Sequence, residues 1–387
     1  MGNKKMKSGH DREPSRKNTR ITALILCLAL LLMAAVLFTS CKSTEHTPSA
    51  ADTVTVTDCA GRSVTVPKGS ARIAALDSFA GEAMVMAGAG SQMCACPSGV
   101  MSDIILQEIY PQLIDIPSAA SNGAVNIETL TEAGAEVAII KESMYESGSE
   151  TAKFDKLNIP YIVIGYKTME DQIYALKIIG TVCGGEAEEK MERITDYYEQ
   201  TIKTVRKHTG RIPDDEKVRV YHSINEIVRT DGKDSIGTDW VQTAGAINVS
   251  TELDTRLENN DYESSLEQIY AWDPDVVICN AADTTDYMYI SSRWAGLRAV
   301  REKQVKTIPV GATRWGQRGS VETFFAMLWL GCELYPDVYT DIDLKEEVTT
   351  FYNEVLGVDV SDELYDQIIS GRGVREPGNN TGDGQKD

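Results

Sequence analysis

From residue 54 onward, short β-branched apolar runs alternate with longer stretches in which apolar residues recur every three or four positions. This is the pattern of a parallel α/β protein. Strands are predicted at Ile73 to Leu76, Val137 to Ile140, Tyr161 to Ile164, Val218 to Tyr221, Val276 to Cys279 and Val305 to Pro309. Before them, Val54 to Asp58 and Ser63 to Pro67 alternate in polarity around the Gly-containing turn Cys59-Ala60-Gly61-Arg62, which predicts a β-hairpin. From Glu186 to His208 there is no Gly or Pro, while Met191, Ile194, Tyr198, Ile202 and Val205 recur at helical steps. Gly184-Gly185 precedes this run and Thr209-Gly210-Arg211-Ile212-Pro213 stops it, so one long helix is predicted between two halves.

The halves echo each other. Asn126-Ile127-Glu128-Thr129-Leu130 leads through Ala135-Glu136 into Val137-Ala138-Ile139-Ile140, and Ser265-Leu266-Glu267-Gln268-Ile269 leads through Pro274-Asp275 into Val276-Val277-Ile278-Cys279. The blocks align without a gap, with Glu128 over Glu267 and Glu136 over Asp275. Two similar α/β halves follow from that alignment. The predicted organisation is a signal over residues 1–40, a lipidated linker over 41–53, an N-terminal lobe over 54–185, the interlobe helix over 186–210, a C-terminal lobe over 211–374 and a disordered tail over 375–387.

Charge and composition sharpen this picture. With 387 residues, 42% of them hydrophobic and 25% charged, the chain is long enough for two domains with cores of their own. Residues 1–40 hold Lys4, Lys5, Lys7, Arg12, Arg16, Lys17 and Arg20 against Asp11 and Glu13, a balance of +5; subtracting it from the total of -20 leaves -25 for the rest. Such a surface repels phosphate backbones and argues against nucleic-acid partners. The basic stretch ends at Arg20, an apolar run interrupted by Thr22 extends from Ile21 to Phe38, and small residues lead into Cys41, the order of a secretion signal. Leu37-Phe38-Thr39-Ser40-Cys41 resembles a bacterial lipobox, which implies lipid on the Cys41 thiol and cleavage that leaves Cys41 as the new N-terminus. The alternative is an uncleaved anchor, since the apolar run nearly spans a bilayer. Lys42 to Asp52, with its Ser, Thr and Pro, suits a tether.

Export exposes Cys59, Cys94, Cys96, Cys183, Cys279 and Cys332 to an oxidising space, yet their scattered spacing describes no disulfide framework. Cys94-Ala95-Cys96 is the one close pair. Structural zinc usually takes two such pairs, and there is no second pair and no nearby His, so all six are read as structural and no metal or cofactor is expected.

Several segments together resemble the periplasmic-binding-protein family for siderophores, haem and cobalamin. They are Thr57 to Pro67, Asn126-Ile127-Glu128, Leu157-Asn158-Ile159-Pro160, Ser265-Leu266-Glu267-Gln268 with Trp272-Asp273-Pro274-Asp275, Trp294 to Val300, Gln304-Val305 with Ile308-Pro309, and Trp329-Leu330 with Leu334-Tyr335-Pro336. The resemblance covers residues 54–371. It implies two Rossmann-like lobes with parallel central sheets joined by a single long α-helix, little lobe closure, and a ligand held in the cleft. The chain then captures an iron chelate (siderophore or haem) or a corrinoid for an ABC permease dimer and its ATPase, as a monomer anchored by lipid on the outer face of the cytoplasmic membrane. Ala135-Glu136 departs from the Pro-Asp usual in the family, at a turn.

In open α/β sheets the binding crevice lies beyond the carboxyl ends of the strands. That rule selects Asp77, Ser78 and Phe79, then Ser143, Met144 and Tyr145, then Tyr166 and Lys167 in the first lobe. In the second it selects His222, Ser223 and Asn225, then Asn280 and Asp283, then Arg314, Trp315, Gln317 and Arg318. Phe79, Tyr145, Tyr166, His222, Asn225, Asn280, Arg314, Trp315 and Arg318 are the candidate ligand contacts. Two guanidinium groups in an acidic protein suit an anionic ligand, and an indole can stack on a flat one. The competing reading of that loop is a surface turn with unrelated charges, and of His222 a hydrogen-bonded structural residue.

Catalysis is the rival class. Asp234-Ser235-Ile236-Gly237 is distantly similar to a hydrolase serine motif, but no Gly-Xaa-Ser-Xaa-Gly elbow accompanies it. His208 and His222 are the only bases available for a triad in the folded region, so a non-enzyme is expected. A sensory or adhesive lipoprotein on the same lobes is the remaining alternative. Glu128 and Glu267, at equivalent places in the two halves, suit docking onto a two-subunit permease, a role the family resemblance also implies; the plainer reading is that each favours the positive end of a helix. For the lipid anchor, Cys41→Ser is expected to lose incorporation of labelled palmitate and to leave the protein uncleaved or released on membrane fractionation. Unchanged palmitate incorporation contradicts the assignment.

Overall fold

Why the predicted strands form a core is visible in their alternation. The structure, a computed structural model, describes residues 53–121, 124–224, 226–253 and 262–374, all within one compact body. The signal, the linker with Cys41, the C-terminal tail and Asn225 lie outside the described residues. The hairpin is β1 (Thr53–Thr57) and β2 (Ser63–Pro67), paired antiparallel with Val54 opposite Val66. Asp58 clamps its turn, accepting from the Ala60 and Arg62 amides and from the Arg62 guanidinium.

The first lobe holds β3 (Ile73–Ala75), α1 (Ser78–Met86), β4 (Met93–Ala95), α2 (Ile104–Ile109), α3 (Ile127–Glu132), β5 (Val137–Lys141), β6 (Tyr161–Ile164) and α4 (Met169–Cys183). Its sheet runs in the order β4-β3-β5-β6, all parallel, with Ile73 beside Val137 and Ile139 beside Ile162. After α5 (Gly185–Thr209), the second lobe holds β7 (Arg219–Ser223), α6 (Ile236–Thr243), β8 (Ile247–Asn248), α7 (Leu266–Trp272), β9 (Val276–Cys279), β10 (Val305–Thr307) and α8 (Thr323–Leu334). Its sheet runs β8-β7-β9-β10, again parallel. Numbered within each lobe, both orders are 2-1-3-4, and α3 and α7, which carry the echoed glutamates, both feed the third strand.

Each sheet is covered on both faces. Ile73, Ala75, Val137 and Ile139 point into a core shared with α5 and the second lobe, while Ala74, Leu76, Ala138 and Ile140 point into an outer core of the first lobe. Val220, Val276 and Ile278 face the shared core, and Tyr221, Val277 and Cys279 face the second lobe's outer core. Burying one such aliphatic side chain contributes about 1.5–3 kcal/mol.

Two edge strands, β4 and β8, escape the sequence reading because Met93-Cys94-Ala95 and Ile247-Asn248 are too short to show a period. The strand expected to reach Pro309 is regular through Thr307, and the Ile308 amide still donates to the Cys279 carbonyl at 2.9 Å before Pro309, which has no amide hydrogen to donate. Cys94 and Cys96 are buried in different cores, and all six described cysteines are free.

The helix α5 begins within one residue of the sequence expectation. Gly184 and Gly185 both take positive φ (66° and 55°), which turns α4 sharply into α5. Gly180 lets the two helices touch, since a Cβ there would lie 2.8 Å from that of Met191. From α5, Tyr198 reaches both lobes: its hydroxyl donates to Gln172 Oε1 at 2.8 Å, and its ring packs 5.1 Å from that of Phe324.

Candidate functional site

The carboxyl ends of β3 and β6 bring together a first group of polar side chains. Asp77 caps α1 by accepting from the Phe79 amide at 3.1 Å, so α1 starts directly at the strand end. Phe79 is fully buried and its ring lies 4.8 Å from that of Tyr166, which it supports from below. Tyr166 is half-buried, and its phenol is pushed well above the ordinary range by burial and by Asp77 and Glu82, against the pull of Arg318 from the other lobe.

Glu82 projects from the same helix. It is half-buried as a residue, but its Oε2 is sealed from solvent and has no hydrogen-bond partner. Burial raises its carboxyl well above the usual range, and Asp103, Asp77 and Glu322 add to the shift. Asp103 caps α2 through the Leu106 amide at 2.9 Å, and burial outweighs that bond to push it up to about 7.

The second lobe contributes the loop from Gly311 to Ser320. Glu322 lies fully buried beneath it, with Oε2 accepting from the Thr313 amide at 2.6 Å and hydroxyl at 2.9 Å, and Oε1 accepting from the Tyr352 hydroxyl. Burial exceeds these bonds, and the carboxyl is pushed up to about 7. Arg314 is half-buried, and its Nε is sealed from water without an acceptor. No carboxylate among the described residues pairs with it, so burial alone pulls its pKa down, although a guanidinium stays charged. The Arg318 and Ser320 carbonyls accept from Gln172 Nε2 of α4 at 3.4 and 3.1 Å, fastening this loop to the first lobe. A second bond crosses nearby, from the Met169 amide to Asp239 Oδ2 at 2.8 Å.

Of the nine ligand contacts expected from sequence, the structure places Tyr166, Arg314 and Arg318 at the boundary of the lobes, partly open to solvent. Phe79 and Trp315 are there as well, but both are fully buried, and the Trp315 ring packs 5.0 Å from Phe325 with no free face. His222 and Asn280 also have no exposed surface. His222 is bonded to Asp231 Oδ2 at 2.6 Å through Nδ1 and to Asn280 Oδ1 at 2.8 Å through Nε2, the structural arrangement weighed for it above. Tyr145 packs on the first lobe's outer core with the Arg62 guanidinium 4.8 Å over its ring, apart from the five at the boundary.

Glu82, Asp103, Gln172 and Glu322 were not singled out in the sequence. A signal existed for two of them: Glu82 is the lone charge in the helix Phe79-Ala80-Gly81-Glu82-Ala83-Met84-Val85-Met86, and Glu322 directly precedes the apolar run of α8. Among the described residues no three His, Cys, Asp or Glu side chains converge in metal-ligating geometry, and no helix is long and apolar enough to cross a membrane.

Comparison with known proteins agrees with this architecture. The family model described as periplasmic binding protein matches residues 102–310, more than half of the chain. The molybdate-binding protein MolA of Haemophilus influenzae is 23% identical over 327 residues, covering 77% of this chain and 90% of that relative. Its molybdate-bound structure superposes with a TM-score of 0.71 at 21% identity, over 80% of this chain and 99% of that one. A periplasmic solute-binding protein of Veillonella parvula gives 0.69 at 24% identity, over 82% and 97%. The vitamin B12 binding protein BtuF of Vibrio cholerae gives 0.55 at 18% identity, over 70% and 99%. The chain belongs to the periplasmic binding protein family, whose members are solute-binding transport proteins and not enzymes.

The buried carboxyl of Glu322 carries a pH signature. Its pKa rises from 4.5 to about 7 on folding, so the folded state favours the protonated form. That stabilisation is whole below about 4.5 and is lost as the pH climbs through about 7. Denaturant titration should therefore show Glu322→Gln gaining on the wild type by roughly 1–3 kcal/mol between pH 4.5 and 8. A difference that stays constant with pH contradicts a raised carboxyl.

Proposed function

We propose that this periplasmic binding protein is the ligand-capturing component of an ABC importer, held to the outer face of the cytoplasmic membrane by lipid on Cys41, and that its cleft takes an anionic, metal-containing solute. The observation that carries the ligand class is Arg314, a half-buried guanidinium with no carboxylate partner among the described residues. A charge held away from water without a partner is costly, and an anion entering the cleft supplies what is missing. Ferric chelates, haem and corrinoids are the ligands the sequence resemblance implies. Two observations favour the compact end of the range: Phe79 and Trp315 are buried and offer no face to a planar macrocycle, and the relative MolA binds molybdate. The reading is a metal oxyanion or a small, negatively charged ferric chelate.

Titration followed by tryptophan fluorescence against molybdate, a ferric catecholate, haem and cobalamin tests this. Molybdate or the ferric catecholate should bind most tightly. Arg314→Ala should weaken that binding tenfold or more, as the loss of a charge-assisted bond of about 1.5–3 kcal/mol requires. Wild-type affinity in Arg314→Ala removes the residue from the site.

Glu128 and Glu267 complete the proposal as contacts to the permease. Both are exposed and occupy the second position of their helices, behind Asn126 and Ser265 as caps. Glu267 lines a cavity of 510 Å³ with Glu226 to Val228 and with Asp283 and Thr284, which follow the carboxyl ends of β7 and β9. This place near the strand ends of its lobe supports the docking reading. The helix dipole alone contributes about 0.3–1 kcal/mol at such positions. Docking predicts that Glu128→Ala/Glu267→Ala folds and binds ligand normally but fails to stimulate the transporter ATPase. A slightly lower melting temperature with normal stimulation points to the dipole alone.

A further inference from the structure

We infer that Glu82 is a specificity-determining residue of this cleft, a carboxyl that stays protonated and donates a hydrogen bond to an oxygen of the bound anion, while Arg314 on the facing lobe supplies the charged donor. The inference rests on the anionic-ligand reading above and narrows it to ligands rich in acceptor oxygens.

Geometry carries the argument. Glu82 stands midway along α1, where Phe79, Ala80, Gly81, Ala83, Met84, Val85 and Met86 are all buried and, between them, Glu82 alone keeps part of its surface open. Its Oε2 is closed off from solvent without a partner. The titratable groups around it are Asp77 from the start of its own helix, Asp103 from the cap of α2, Glu322 from beneath the second lobe's loop, and Tyr166 from the end of β6. Of the nearby cations, Lys141 acts on Asp77, and Arg318 acts on Tyr166; neither is among the groups that shift Glu82.

An ionised Glu82 would leave its sealed Oε2 without a donor, beside three other carboxyls. A proton on the carboxyl relieves that. A protonated carboxyl has one O–H to give, and the loop opposite has an unmatched guanidinium N–H at Arg314. Two unmatched donors fit a ligand that accepts at several oxygens. The same principle holds wherever a carboxylic acid is kept neutral by its surroundings in order to donate.

The test combines a spectroscopic reading with titrations. Infrared difference spectra of wild type against Glu82→Gln at pH 7 should contain a protonated-carboxyl C=O band belonging to the wild type; its absence overturns the inference whatever binds. Calorimetric titration with sodium molybdate and with a ferric catecholate, from pH 6 to 9, should show wild-type affinity falling as the pH rises. Glu82→Ala should weaken binding about tenfold. Glu82→Gln, which keeps a donor, should lose no more than about threefold and show a shallower pH dependence, the remainder coming from Asp103 and Glu322. Equal or tighter binding by Glu82→Ala overturns the inference and leaves the anionic-ligand reading intact. If the wild type binds neither anion at any pH, that reading falls and this inference falls with it.

Discussion

The fully buried amide of Gln172 is the contact on which the site depends. It takes a hydrogen bond from Tyr198 of the long helix and gives hydrogen bonds to the carbonyls of Arg318 and Ser320 in the second lobe's loop. One side chain thus joins the first lobe, the connecting helix and the segment that carries Arg314. The bonds to Tyr198 and to the Ser320 carbonyl are buried, and leaving such a group unsatisfied costs about 1–3 kcal/mol, so the three parts have a strong reason to stay in register. The Asp239 bond to the Met169 amide adds a second tie close by. With the lobes fixed, the polar groups at their boundary become a formed site and not two loose surfaces.

That site has an unusual balance for a protein of net charge -20. Its acids are buried enough for Asp103 and Glu322 to titrate near neutrality, and the Arg314 guanidinium, which no carboxylate among the described residues pairs with, is half-buried. Suppressing the negative charge of the acids by burial lets an anion approach a surface that would otherwise repel it. Glu322 also holds the loop itself, through Thr313 and Tyr352, so the group that moderates the charge is the group that shapes the backbone.

Much of the fold was legible in the sequence because burial on both faces leaves continuous apolar strands. Val137 to Ile140, Tyr161 to Ile164 and Val276 to Cys279 stand where the pattern put them, and the helical repeat of Met191 to Val205 defines α5. The gapless echo indicated two similar α/β halves, and the two sheets share one strand order. Short edge strands carried no period and were missed. The site was less legible. Following the strand ends located Tyr166 and the Arg314 loop, yet it also selected Phe79, His222, Asn280 and Trp315, whose side chains turn into the core. A strand end fixes where a residue sits; the direction of its side chain depends on neighbours distant in sequence, such as Asp231 for His222 or Phe325 for Trp315. Gln172 gave no sign at all, because one polar residue on a helix reads as surface until the partner lobe is in place.

The claim that Gln172 holds the lobes together is open to a direct measurement. Spin labels on unnatural amino acids at the exposed positions Lys156 and Glu302, one on each lobe, avoid the six native thiols of the described residues. Pulsed dipolar spectroscopy on the unliganded protein should give one narrow distance distribution, and Gln172→Leu should broaden or split it. Two populated distances in the wild type, or an unchanged distribution in Gln172→Leu, would contradict the account.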